Sequence, residues 1–200
     1  MDGDPKPYHH GDLRAALLVA GEAELAGSGP EGFSLRRVAK RAGVSHAAPA
    51  HHFRDVRGLL TALAARGFDR LLEMQAGRAA EAPDDARAQL LAYGMAYVDF
   101  ACAHPALFRL TFGSNLPDHS DPELCRAGEA AFMRMAEGVA AVTGRPALGP
   151  PEEMVDAWRV WSLTHGVADL LSSGHMKGVG ALQPGARDDL IREILSAVLP

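Results

Sequence analysis

Apolar residues recur at helical spacing along nearly the whole chain, and no segment alternates apolar and polar residues at the period of two that marks a strand. Leu13, Leu17, Ala20 and Glu24 share one stripe of a helix expected over about residues 11–26, which the run GSGPEG at 27–32 ends. Ser34 can cap a short helix with Leu35, Val38 and Ala39 inward, and Gly43 supplies the left-handed residue that stops it. Ser45 reads as the cap of a second short helix that carries Ala47, Ala48, His51 and His52 and closes on the apolar anchor Phe53. Pro49 falls in its first turn, where spare N–H groups make proline cheaper than its cost of about 3 kcal/mol in mid-helix. A short helix opening as a 3₁₀ turn is therefore expected. Leu59, Leu60, Leu63, Phe68, Leu71 and Leu72 then mark one long helix over about 56–82, ended by Pro83.

Further helices are expected over about 84–102, 105–112, 122–143, 152–173 and 187–199, separated by the Gly and Pro clusters GSNLPDHSDP, GRPALGPP and SSGHMKGVGALQPG. The expected fold is all-α. A three-helix helix-turn-helix domain over 1–55, with residues 1–7 as a frayed tail, is joined by the long helix to a larger helical regulatory and dimerisation domain over 56–200.

Charge sharpens this division. Between Ser34 and Arg57 stand Arg36, Arg37, Lys40, Arg41, Arg54 and Arg57 against Asp55 alone, in a chain of net charge -5. Residues 1–70 carry ten Lys plus Arg against eight Asp plus Glu, and residues 71–200 ten against seventeen, so a basic head sits on an acidic body. Two short helices with a tight Gly-containing turn and a basic surface form the layout that reads double-stranded DNA. Cys102 and Cys125 fit no metal or redox spacing and read as buried, reduced thiols. No apolar leader and no run long enough to span a bilayer is present in the sequence, so a cytoplasmic protein with no membrane partner is expected.

The stretch from Tyr8 to about Phe68, above all GFSLRRVAKRAGVSHAAPAHHF followed by Leu59 and Leu60, resembles the N-terminal domain of the TetR family of bacterial transcriptional regulators. The body resembles the WHG-type C-terminal domain found with such heads, through Trp161, His165 and Gly166 in WSLTHG and through HPALFRLTF. The resemblance implies that Ser34 meets a phosphate, that Arg36 lies near base edges, and that Ser45, His46, Ala47 and Ala48 enter the major groove, with His52 on the backbone. His51 and Arg37 are counted with the same DNA-facing set. Where the family usually carries Tyr this chain has Ala50, and where it carries Lys at the start of the connecting helix it has Val56. Arg54 or Arg57 is the expected replacement for the lost phosphate contacts.

Arginine suits guanine because its planar fork bonds O6 and N7 together, a pair worth about 1–3 kcal/mol of discrimination. One head buries too little surface for tight specific binding, so a homodimer reading a palindromic operator is expected. Its interface is expected on the last two long helices, through Val155, Trp158, Leu163, Val167, Leu170 and Leu171 on one and Leu190, Ile191, Ile194, Leu195 and Val198 on the other. Tyr93, Tyr97, Phe100, Phe108 and Phe112, with Phe132, Met135, Trp158, Trp161, His165 and Asp169, are the candidate walls of a small-molecule effector cavity. By analogy with the family, an effector is expected to release a repressor from its operator.

Enzymatic readings fare poorly. His165 with Asp169, or His119 among Asp118 and Asp121, could bind a metal, yet nothing resembles HExxH and no Ser or Cys sits in a nucleophile motif. No catalytic residue, metal or cofactor is expected. The alternative, a helical protein-interaction or small-molecule-binding adaptor without sequence-specific DNA binding, would leave the basic head unexplained.

Overall fold

The computed structural model describes residues 10–199; the expected tail at 1–7 lies outside them. The order is α1 (His10–Ser28), α2 (Leu35–Ala42), α3 (Ala48–Phe53), α4 (Val56–Ala80), α5 (Ala86–Ala103), α6 (Pro105–Gly113), α7 (Pro122–Thr143), α8 (Val155–Ser172), α9 (Lys177–Gly180) and α10 (Pro184–Ser196). A 3₁₀ turn at Pro151–Glu153 precedes α8, and no strand occurs among the described residues.

The ends of the helices follow their local chemistry. Asp55, Asp85 and Asp121 cap α4, α5 and α7 with side-chain oxygens that accept from the first-turn amides. Pro105, Pro122 and Pro184 stand in first turns, where a missing N–H costs nothing, and Gly43 closes α2 at φ 69°. Ser34 occupies the cap position of α2 with extended backbone, but its side chain makes no capping bond. Ser45 does not cap α3. A turn closed by the Ala48 amide on the Ser45 carbonyl (3.0 Å) comes first, and Ala47 is the cap, which leaves Pro49 buried in the first turn of a six-residue helix.

Helix α4 organises the molecule. It packs on α1 and α3 at its N-terminal end and on α5, α6 and α7 along the rest. One apolar cluster runs from Leu17 and Val38 through Leu59, Leu63 and Leu71 to Phe100, Phe108, Val167 and Ile191. The outer helices divide differently from expectation. Val167, Ile191 and Leu195 point into the core of their own chain, with Leu163, Leu171 and Ile194 packed against it. Val155, Trp158, Trp161 and Leu170 remain exposed on α8. Cys102 is half-buried, but Cys125 is exposed, because its position on α7 faces away from the core.

Candidate nucleic-acid interface and the cavity behind it

The head is held together by a buried acid. Glu24, on the inner stripe of α1, is 1% exposed, and its carboxylate receives Arg37 Nε on one oxygen and Arg41 Nε (3.0 Å) on the other. Burial alone would push its pKa up, but Arg37, Arg41 and the Ser28 hydroxyl together hold it below the ordinary glutamate value. Arg37, expected on DNA, is therefore engaged: it also donates to the Gly32 carbonyl and ties α2 to the loop before it. Arg41 is the second clamp. The signal for Glu24 was present, since a carboxylate on an apolar stripe needs a partner, and Arg37 and Arg41 are four apart on one face of α2.

That clamp leaves the neighbouring face of α2 for other work. Arg36 and Lys40 are exposed, and neither has an ion-pair or hydrogen-bond partner among the described residues. Ser45, His46, Ala47 and His51 are exposed on the turn and the outer side of α3, with Ala48 half-buried beside them. His52 is half-buried, its ring against Phe53 at 6.2 Å between centroids. Phe53 is anchored further by the guanidinium of Arg14 from α1, 5.5 Å from its ring centre.

The link from α3 to α4 is strained. Arg54 has φ 68° and ψ -60°, and the Asp55 amide donates to the Phe53 carbonyl (2.8 Å), the geometry of a γ-turn that non-glycine residues seldom adopt. Asp55 braces it by capping the Gly58 amide (2.8 Å). Helix α4 passes so close that a Cβ on Gly58 would overlap the Phe53 carbonyl oxygen. Arg54 is exposed with no partner among the described residues, whereas Arg57 lies 3.6 Å from Asp118.

Behind the head, α4 to α8 enclose a cavity of about 290 Å³. Its walls are Phe68, Leu71 and Gln75 from α4; Leu90, Tyr93, Gly94 and Tyr97 from α5; Thr111 and Phe112 from α6; Gly128, Ala131, Phe132 and Met135 from α7; and Val160, Trp161 and Thr164 from α8. Tyr93, Tyr97, Phe112, Phe132 and Trp161 thus stand where a ligand cavity was expected. Phe100 and Phe108 do not; both are fully enclosed in the core, edge-on to each other. Trp158 lies outside, stacked on Phe132 and Trp161 at the surface. His165 sits in an adjoining cleft with Phe112, Trp161 and Ser162, and Asp169 is exposed one turn on.

His165 Nδ1 pairs with the Tyr97 hydroxyl (2.8 Å) rather than with Asp169. Burial lowers the His165 pKa, more than the Asp169 charge raises it, and burial pushes the Tyr97 phenol up, so both groups are uncharged at neutral pH. Sequence reasoning missed the α4 wall, above all Gln75, whose signal was a single polar residue four places after Leu71 on an apolar stripe. The other suspected metal group has structural work: Asp121 caps α7, Asp118 accepts from Ser120, and His119 meets the Ser114 carbonyl.

Residues 90–198, more than half of the chain, match the family model described as the tetracyclin repressor-like C-terminal domain. The chain belongs to the TetR family. Residues 17–63 match the model of the N-terminal domain of bacterial regulatory proteins of the tetR family, the stretch that folds as α1 to α3 and the start of α4. TetR-family proteins are DNA-binding transcriptional regulators and not enzymes, and this chain is such a regulator. No curated protein matches it. Among solved structures it is similar to a protein of unknown function from Rhodococcus sp. RHA1, at 34% identity and TM-score 0.77, over 97% of this chain and 98% of that one. The TetR-like transcriptional regulator from Rhodococcus sp. RHA1 shares the fold at 15% identity and TM-score 0.64, over 94% and 96% of the two chains. So does the TetR-like regulator LfrR of Mycobacterium smegmatis, solved with proflavine, at 19% identity and TM-score 0.62 over 94% and 96%. Among the described residues of this TetR-family chain, no helix is long and apolar enough to cross a membrane.

Proposed function

We propose that this regulator is a cytoplasmic repressor that holds a palindromic operator as a homodimer and is released by a small molecule bound in the cavity, with the head over 1–55 and the body over 56–200. The observation that carries the reading is the double role of α4. Its N-terminal part supplies Leu59 and Leu63 to the floor of the head, and Phe68, Leu71 and Gln75 to the cavity wall.

A second strut connects the same two places. Thr111 and Phe112 of α6 line the cavity, and the loop that follows α6 returns to α4, where the Asp118 amide donates to Thr61 Oγ1 (2.8 Å) and its carboxylate faces Arg57. A molecule that spreads α4 and α6 moves the base of the head. It acts only by the difference between its affinities for the two arrangements.

On the DNA side, Arg36 is assigned to base edges, and Ser34, Ser45, His46, Ala47, Ala48, His51 and His52 to the groove and its phosphates. Arg54, unlike Arg57, has no carboxylate facing it among the described residues and replaces the missing phosphate contact. The dimer uses the exposed face of α8 with α10 and the residues just after it, through Val155, Trp158, Leu170, Leu190 and Val198. TetR-like LfrR was solved with proflavine, which supports a small-molecule ligand for a regulator of this fold.

Selection of bound duplexes from a random pool at fixed salt tests the reading. The expected product is a palindrome with half-sites about 34–36 Å apart or a multiple of that, bound by a species that sediments as a dimer. A monomer, or a pool without symmetry, refutes it. Arg36→Ala should lose roughly 10- to 100-fold in affinity for the selected site and relax the preference at one base position, read by competition binding. Arg54→Ala should weaken all duplexes alike and flatten the dependence of log affinity on log salt by about 0.9.

A further inference from the structure

Among the described residues, the cavity wall carries no Asp, Glu, Lys, Arg or His side chain. An anion placed there would lose its water and find no opposite charge, and a cation would lose its water against only a small return from the ring faces, so the walls favour an uncharged ligand. Six aromatic side chains, Phe68, Tyr93, Tyr97, Phe112, Phe132 and Trp161, line it and suit a flat apolar body. At about 290 Å³ the space lies at the lower edge of the range for ligand cavities, roughly 300–1,000 Å³, and suits a compact molecule.

Gln75 adds direction. It is 4% exposed, and its Nε2 donates to the Tyr93 carbonyl oxygen (3.3 Å), which can only accept. That fixes the orientation of the amide and leaves Oε1 buried with no hydrogen-bond partner. Among the described residues only Arg187 Nε shares that state, and Arg187 is not on this wall. A buried acceptor without a donor is unfavourable, and a ligand that brings the donor relieves it.

We propose that this cavity, read above as the effector site, takes a compact uncharged aromatic molecule whose hydroxyl or N–H donates to Gln75 Oε1. Four probes of matched shape decide the point when titrated into the full-length protein by calorimetry at neutral pH: para-ethylphenol, ethylbenzene, para-ethylbenzoate and para-ethylbenzylammonium. The phenol is expected to bind about tenfold more tightly than ethylbenzene and at least about tenfold more tightly than either ion. Gln75→Met, close in length and apolar, should bring the phenol and ethylbenzene to equal affinity. Gln75→Glu, a second variant independent of the first, should move the preference to the ammonium.

Tighter binding of either ion to the natural protein overturns the proposal, and so does the absence of saturable binding by the phenol. A preference for the phenol that survives in Gln75→Met overturns the assignment of Oε1. The effector reading is tested separately, by operator affinity at saturating phenol. If the phenol binds as expected and the operator is held unchanged, the ligand class stands and its coupling to DNA falls.

Discussion

Gly58→Ala is expected to reduce operator affinity to the level of binding to random duplex, a loss on the order of 10³-fold or more, and to destabilise the fold by about 3 kcal/mol. The new methyl group would overlap the Phe53 carbonyl oxygen, and that oxygen is held in place from two sides. It accepts the Asp55 amide across the γ-turn at Arg54, and Phe53 itself is locked in the core at 5% exposure. The overlap can be relieved only by prising α3 away from α4. Because α3 carries residues proposed above to face the groove, a shift there would change both the spacing of the heads in the proposed dimer and their angle. Competition binding and denaturant unfolding on the same preparation check both halves of the expectation. Gly77→Ala on the same helix is the control, since nothing lies near its added Cβ and it should change neither quantity appreciably. Retention of operator affinity by Gly58→Ala would show that the link between α3 and α4 yields without cost.

Glu24→Gln is expected to cost about 2 kcal/mol of unfolding free energy. Loss of one partner of a fully enclosed ion pair typically costs about 3–5 kcal/mol, but here the guanidinium groups are half exposed, and water screens part of the interaction. The carboxylate is 2% exposed against 52% for Arg37 and 49% for Arg41. The effect should depend on pH with a definite sign. The pKa of Glu24 is lowered in the folded chain, so its contribution is fully present above the unfolded value and is lost as pH falls through the folded one. The difference between natural protein and variant should therefore be largest near neutrality and close on acidification. Thermal unfolding as a function of pH measures it, with Lys40→Ala, whose side chain is exposed and unpaired among the described residues, as a control that moves nothing. A gap that widened on acidification would contradict the clamp.

The two sites differ in how far their residues could be read in advance. The head is local in sequence: the Gly43 turn, the short α3 and the cationic run between Ser34 and Arg57 lie within two dozen residues, and side-chain type nearly specifies the surface. What local reading missed there is pairing at longer range. Arg37 looks like a DNA contact until α1 brings Glu24 beneath it, and beneath Arg41, from more than a dozen residues away. In the cavity nearly everything is long range. Five helices contribute, and a helix of apolar and aromatic residues does not declare which of them pack and which line a space.

Periodicity by itself determined the all-α class, the long α4 and the breaks at Pro83 and the loop clusters, because burying one stripe of each helix is the only way such a pattern leaves water. Short-range chemistry determined much of the head, since the Gly43 stop and the tolerance of Pro49 in a first turn act within a few residues, although neither Ser34 nor Ser45 caps a helix with its side chain. Only the tertiary structure decided that Phe100 and Phe108 fill the core while Phe68 and Gln75 face the cavity, and that Ile191 and Leu195 turn inward while Trp158 stays outside. The physical reason is that rotation of each helix about its axis is set by ridge-into-groove packing with neighbours distant in sequence. A rotation of a few tens of degrees exchanges a packed side chain for one that meets a ligand.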